Sequence, residues 1–341
     1  MRRPTRLSLL VAVLLLVLAG AYSAYWFVVA GRIEAGLGEW AQSLRAQNLD
    51  LSWRAIRVGG FPLAFRVELD DARLRDGGTG PGGQISIPVL SGSASPWNLH
   101  VWQLAAPGGV GAVAGPGERP VARLSARAAS GSVAVSGEAG TALWLGLSDA
   151  TADIGAHIAA READLWLTLP SHPPQTHTER AIGVALALRG VTLPAVPPPF
   201  RNPVDEIALG TTVMGPIPAG PARLAAAAWR DAGGTVELDH FAARWGTLAI
   251  SGSGTAALDQ DLQPMGAISG AIEGYEALMT AFVAAGRIRT GDASLARLAL
   301  GMLARRGPDG RPTISTSFTI QNGEMRLGPA KLGKAPRINW E

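Results

Sequence analysis

Five histidines occur in the chain, and two of them, His172 and His177, share the loop Ser171–Glu179. Two imidazoles beside a carboxylate form a donor set that a divalent metal takes. Pro173 and Pro174 favour an extended loop with solvated rings, so no metal site is assigned. Asp70-Asp71 and the pair Asp259 and Asp261 are carboxylates of the kind used in glycosidic or metal chemistry, but both pairs fall at predicted strand ends, where Asp commonly serves a turn. The absence of cysteine excludes thiol nucleophiles, thiolate metal sites, disulfides and an acylated N-terminal cysteine. No HExxH, GxSxG or Walker A sequence is present. The near miss Gly109-Val110-Gly111-Ala112-Val113-Ala114 lacks a convincing strand before it and reads as a flexible loop. No catalytic, cofactor-binding or metal-binding residue is therefore assigned, and the chain reads as a non-enzyme. Thirty basic residues interspersed with 27 acidic ones leave a net charge of only +3, which argues against nucleic acid as a partner.

The elements around these residues start with an uncharged run, Leu7–Ala30, preceded by Arg2, Arg3 and Arg6. As a helix it would span about 36 Å, enough to cross a hydrocarbon core of about 30 Å. The arginines predict a cytoplasmic N-terminus (residues 1–6), and Tyr22, Tyr25 and Trp26 stand where an interfacial aromatic belt falls. Ala19-Gly20-Ala21 offers a signal-peptide cleavage site, but the apolar run continues past it through Val29, which favours an uncleaved anchor over residues 7–30. The expected location is a single pass through the inner membrane with the body in the periplasm.

Ile33, Leu37, Trp40 and Leu44 share one helical face directly after the anchor, and the pattern then changes to a period of two. Phe65, Val67 and Leu69 alternate with Arg66, Glu68 and Asp70, and similar alternation recurs through Ile85–Val89, Leu165–Leu169, Val184–Leu188, Val236–Leu238 and Ile314–Ile320. Forty-three glycines and 24 prolines supply turns between short elements. The fold class expected is mainly β with a few helices, an antiparallel sheet, curved or grooved, covered on one face. Helices are expected after Pro221, near Tyr275–Phe282 and near Leu295–Met302. The Pro-rich stretch 194–203 divides a first β-rich region with a leading helix, 31–193, from a second, 204–341.

The run Trp53-Arg54-Ala55-Ile56-Arg57-Val58-Gly59-Gly60-Phe61-Pro62, followed by Phe65-Arg66-Val67, resembles the opening signature of an uncharacterised Gram-negative domain-of-unknown-function family with an N-terminal membrane segment. Ser95-Pro96-Trp97-Asn98, Trp245-Gly246-Thr247-Leu248 and Leu262-Gln263-Pro264 are similar to its later landmarks. Leu63-Ala64 and Leu99 depart from the pattern. The resemblance brings no activity, and its landmarks are residue types that shape turns and cores. The phrase Asn322–Pro329 is similar, more distantly, to envelope proteins of the AsmA kind.

The expected function is a non-catalytic, membrane-anchored protein of the cell envelope that binds or passes lipid acyl chains or supports envelope assembly. Phe65, Val67, Leu69, Phe318 and Ile320 are the residues expected to line an apolar groove. The alternative is a scaffold that binds envelope proteins without lipid, and the third reading is an envelope glycan hydrolase resting only on scattered carboxylates.

Overall fold

The computed structural model describes residues 6–78, 82–115, 120–306, 311–328 and 330–340. Its architecture is mainly antiparallel β with four helices among the described residues, and the chain divides into two compact units, Met1–Val133 and Ala134–Glu341. The first helix, α1, runs unbroken from Arg6 to Arg45, about 60 Å at the rise of an α-helix. Leu, Ala and Val fill it and no Pro interrupts it. It ends where Asn48 takes a left-handed conformation and donates its N–H to the Arg45 carbonyl. The helix expected after the anchor is thus a continuation of the anchor itself. This helix is long and apolar enough to cross a membrane. Arg2 and Arg3 lie outside the described residues.

In the first unit, β1 (Leu49–Ser52) and β2 (Ala55–Gly59) pair in succession with β3 (Phe65–Asp76), which pairs with β4 (Gly83–Ser95). On the far side of β4 lie β5 (Asn98–Ala106) and β6 (Val110–Ala114), and β6 pairs with β7 (Ala122–Ser136). The Gly109–Ala114 stretch expected as a flexible loop is therefore mostly strand: small residues that alternate weakly with Val still complete ladders on both sides. Phe65, Val67 and Leu69 are buried beneath α1, packed with Trp26, Ala30, Ile33 and Leu37. This corrects the expected groove at those three positions, because the helix that leaves the membrane lies on the apolar side of β3 and closes it. Ala41 is buried, whereas Trp40 is exposed, so the docked stripe runs Ile33, Leu37, Ala41.

The second unit is a run of antiparallel neighbours: β8 (Gly140–Asp153), β9 (His157–Leu169), β10 (Arg180–Thr192), β11 (Val204–Met214), β12 (Thr235–Trp245), β13 (Leu248–Leu258), β14 (Pro264–Glu273) and β16 (Pro312–Gln321). The strands β15 (Ala304–Arg306) and β17 (Glu324–Leu327) share the other edge of β16, and β18 (Ala330–Lys334) follows β17. The Pro-rich stretch 194–203 is no domain boundary. It joins two paired strands, β10 and β11, and the Asn202 side chain ties it shut by accepting from the Leu193 N–H at 3.0 Å and donating to the Leu193 carbonyl at 2.8 Å. The division falls instead at Val133/Ala134, within β7, where no composition change marks it. Helices α2 (Ala222–Asp231), α3 (Tyr275–Ala284) and α4 (Thr290–Leu303) occupy the connections after β11 and β14. Pro221 stands at the α2 N-cap, as its fixed φ favours.

Candidate functional site

Residues directly opposite one another in an antiparallel pair point to the same face of the sheet. The register of the second unit can therefore be followed strand by strand as rows. One row contains Leu145, Leu165, Leu186, Leu209 and Phe241 on β8 to β12. The neighbouring row on the same face contains Leu143, Leu167, Val184, Thr211 and Leu238, and continues through Gly254 to Ile268, Phe318 and Leu327. A third contains Leu147, Leu188, Ile207, Ile250, Ile272 and Ile314. At the strand separation of sheets, about 4.8 Å, the apolar face from β8 to β16 is about 34 Å wide along the sheet.

This face is unevenly covered. Near one end, Val191, Val204 and Ala160 are buried with Leu188, Ile207 and Trp245 around them. Phe200 stacks on Trp245 at 4.4 Å and meets Phe282 of α3 edge-on at 6.0 Å, while the Trp245 indole donates to the Arg201 carbonyl at 2.6 Å. On β11, Met214 falls by alternation on the Glu206 side of the strand and is buried, and the buried Trp229 of α2 donates its indole N–H to the Met214 carbonyl at 2.8 Å. Away from the Val191 cluster the side chains of the apolar rows stay partly open. Leu145 is 40% exposed and Leu165 39%, and Leu186, Leu209, Leu238, Phe241, Ile268 and Phe318 are all half-buried. Such exposure on contiguous Leu, Val and Phe exceeds what scattered surface hydrophobics require.

The opposite face is wet. Glu162, Arg189, Glu206 and Arg244 are successive partners across β9 to β12, with Arg189 3.0 Å from Glu162 and 3.4 Å from Asp164. Arg189 is held above the usual arginine value by the hydrogen bond it donates to Glu162 and by the surrounding carboxylates, against some desolvation. The ladder fixes which face meets water and leaves the apolar rows on the other.

The aromatic residues at the end of the apolar run are gathered in the first unit. The Trp26 ring stacks on Phe65 at 5.2 Å and meets Phe61 edge-on at 5.5 Å, and its indole donates to the Ala64 carbonyl at 3.1 Å. The Tyr25 hydroxyl donates to the Pro96 carbonyl at 2.9 Å, and that of Tyr22 to the Pro62 carbonyl. Tyr22, Tyr25 and Trp26, expected as an interfacial aromatic belt, also grip two turns of the body, and Trp26 is buried in the process. Gly60 makes the first of these turns with φ of +97°, and a Cβ there would lie 2.6 Å from the Ala64 carbonyl oxygen. Gly60-Phe61-Pro62 and Pro96-Trp97 are therefore the socket of the helix, and a family model that matches residues 26–336 begins at the tryptophan that fills it. The chain belongs to the DUF2125 family. That family is described as an uncharacterised protein conserved in bacteria. Neither a curated protein nor a solved structure matches the chain, and the expected similarity to AsmA-type proteins is not shown.

The turn after β13 is also held by side chains. Asp259 accepts the N–H groups of Asp261 and Gln263 at 2.9 and 2.8 Å, which is the turn role expected of it. The Gln263 side chain pairs with the backbone of Ile338, and the Trp340 indole donates to the Leu262 carbonyl at 2.8 Å, which straps the C-terminal tail to this turn. Asp70 and Asp71 lie inside β3 rather than at its end, and each is neutralised: Asp70 by Arg57 at 3.0 Å and Asp71 by Arg73 at 2.9 Å. His172 and His177 do not converge. His172 meets the Ser171 hydroxyl at 3.0 Å, while His177 lies against Gly215 and Gly233. Glu179 instead closes its own loop, accepting the Gln175 N–H and the Thr176 hydroxyl, each at 2.9 Å; these bonds, the backbone one first, hold its carboxyl below the usual value. Of the expected groove residues, Phe318 and Ile320 do lie on the partly open face, in the second unit, while Phe65, Val67 and Leu69 belong to the closed core of the first. The leucines of β8 to β11 were legible as strands but not as a lining. Every alternating strand has an apolar side, and only the paths of the helices decide which side is left open.

Proposed function

We propose that this DUF2125 member is a non-catalytic, membrane-tethered lipid-binding protein that holds acyl chains on the apolar face of its second unit. Its helix α1 anchors it in the inner membrane with the N-terminus cytoplasmic, and the body works in the periplasm. The observation that carries the reading is the half-exposed rows of Leu, Val, Ile and Phe running from β8 to β16. Ligand sites for apolar molecules are concave, apolar and largely pre-formed, and an acyl chain needs no hydrogen-bonding partner along its length. The tether supports the same reading, because it keeps this face at high effective concentration beside a source of lipid.

The test is lipid extraction and native mass spectrometry on the full chain, compared with the double variant Leu186→Glu, Leu209→Glu. Each charged group in the middle of the face opposes acyl burial while remaining within reach of water. Co-purifying phospholipid or fatty acid in the parent, lost in a variant with an unchanged far-ultraviolet spectrum, supports the proposal. Equal lipid content in the two, or none in the parent, sinks it.

A further inference from the structure

The socket around Trp26 sets the depth of the body relative to the bilayer. The apolar run begins at Leu7, just after Arg6. An upright helix needs about 20 residues to cross a core of about 30 Å, which brings the far hydrocarbon boundary to Trp26, and a tilt of about 20° moves it by about one residue. The stretch Leu7–Ala21, before the first body contact, covers only about 22 Å. The helix cannot span and also keep the body clear of the lipid, because the body grips it from Tyr22 onward.

The parts of the body at that level carry the side chains a bilayer interface accepts. Phe61 stacks on Phe27 at 5.7 Å and is 47% exposed. Leu63 is 71% exposed and Trp97 74%, each next to a carbonyl that accepts from α1 at Ala64 or Pro96. Phe27 on the helix is 62% exposed beside them. Arg32, the first charge after the apolar run, stands about 9 Å further along α1, at headgroup height. An exposed Leu and Trp on rigid turns beside a spanning helix have no role in the core of the unit, whereas aromatic and apolar side chains are favoured where hydrocarbon meets headgroups.

We infer that the turns Phe61–Ala64 and Pro96–Trp97 enter the lipid interface beside α1, so that Phe61, Leu63 and Trp97 form a second membrane contact that fixes the orientation of the first unit on the bilayer. This rests on α1 spanning the membrane, and is independent of acyl binding by the second unit. The chain has no cysteine, so single labelling sites can be introduced cleanly. Full-length protein carrying an environment-sensitive fluorophore at Leu63→Cys, Trp97→Cys, Leu14→Cys or Arg75→Cys is reconstituted into vesicles of phosphatidylethanolamine and phosphatidylglycerol. Some vesicles contain lipid with a nitroxide near the glycerol end of the acyl chain. Arg75 lies ten residues along β3 from Phe65, about 33 Å away, and serves as the aqueous reference. Quenching by roughly half or more at Leu63 and Trp97, with little at Arg75, is expected for side chains at the interface. Quenching at Leu14 with Leu63 and Trp97 behaving like Arg75 overturns the inference and leaves the anchor standing. Absence of quenching at Leu14 overturns the anchor and the inference together.

Discussion

Replacing Trp26 with alanine tests whether α1 is a structural part of the first unit or only a leash. The indole is 3% exposed, stacks on Phe65, meets Phe61 edge-on, and donates to the Ala64 carbonyl. Truncating a buried Trp to Ala costs about 3–5 kcal/mol, and the orphaned carbonyl adds to it. If α1 lifts from β3 as a result, Phe65, Val67 and Leu69 lose their cover and the strand amides open more often. At about 1.4 kcal/mol per tenfold change, protection of the β3 amides against hydrogen exchange falls by roughly two to four decades. Trp26→Phe keeps a ring over Phe65 and loses the hydrogen bond, so a fall of roughly one decade is expected. The assay is hydrogen exchange read by mass spectrometry on full-length protein in lipid nanodiscs, with peptides from β13 as the internal reference. Exchange of β3 in Trp26→Ala within about threefold of the parent would refute the reasoning, because a core residue of this size cannot be removed at so small a cost.

Other expectations concern the second unit. The Glu324 carboxyl is held below its ordinary value of 4.5 chiefly by the hydrogen bond from Lys331, with Coulombic help from Lys331, Arg326 and Lys334. The pairing therefore supports the β17–β18 hairpin fully above the ordinary value, and that support is lost as pH falls through the lowered folded value. Amide protection in β17 should be level above pH 4.5 and decline below it in the parent, with the decline absent in Glu324→Gln; identical profiles would count against the pair. Gly274 starts α3 with φ of +76°, and a Cβ there would lie 1.8 Å from the Thr247 carbonyl oxygen. Gly274→Ala should lower stability of the second unit by about 2 kcal/mol or more, read as a shift of the denaturant midpoint, and an unshifted midpoint would show that the turn yields easily.

Much of the architecture follows from patterns local in sequence. The two-residue alternation around Val67, Leu167, Leu186 and Phe318 lies in strands, and the helix after Pro221 and that beginning near Tyr275 form where turn and cap residues place them. The uncharged run to Ala30 forms a helix long enough to cross a membrane. Local patterns misled where one residue type serves two ends. Three consecutive prolines resemble a linker, yet Asn202 turns them into a hairpin loop. Gly109–Ala114 resembles a loop because small residues carry little strand propensity, yet β4 and β7 supply partners on both edges of β6.

By itself the sequence determines the anchor-length helix, the antiparallel β class, the lack of thiol chemistry and the family, since all of these depend on composition, period or motif. Tertiary structure alone decides which apolar faces are covered. Phe65 and Leu165 sit in equally regular alternating strands, but α1 lies over the first, which is fully buried, while the second stays 39% exposed. Alternation records that a strand has an apolar side, whereas burial depends on what the chain brings to that side from far along its length.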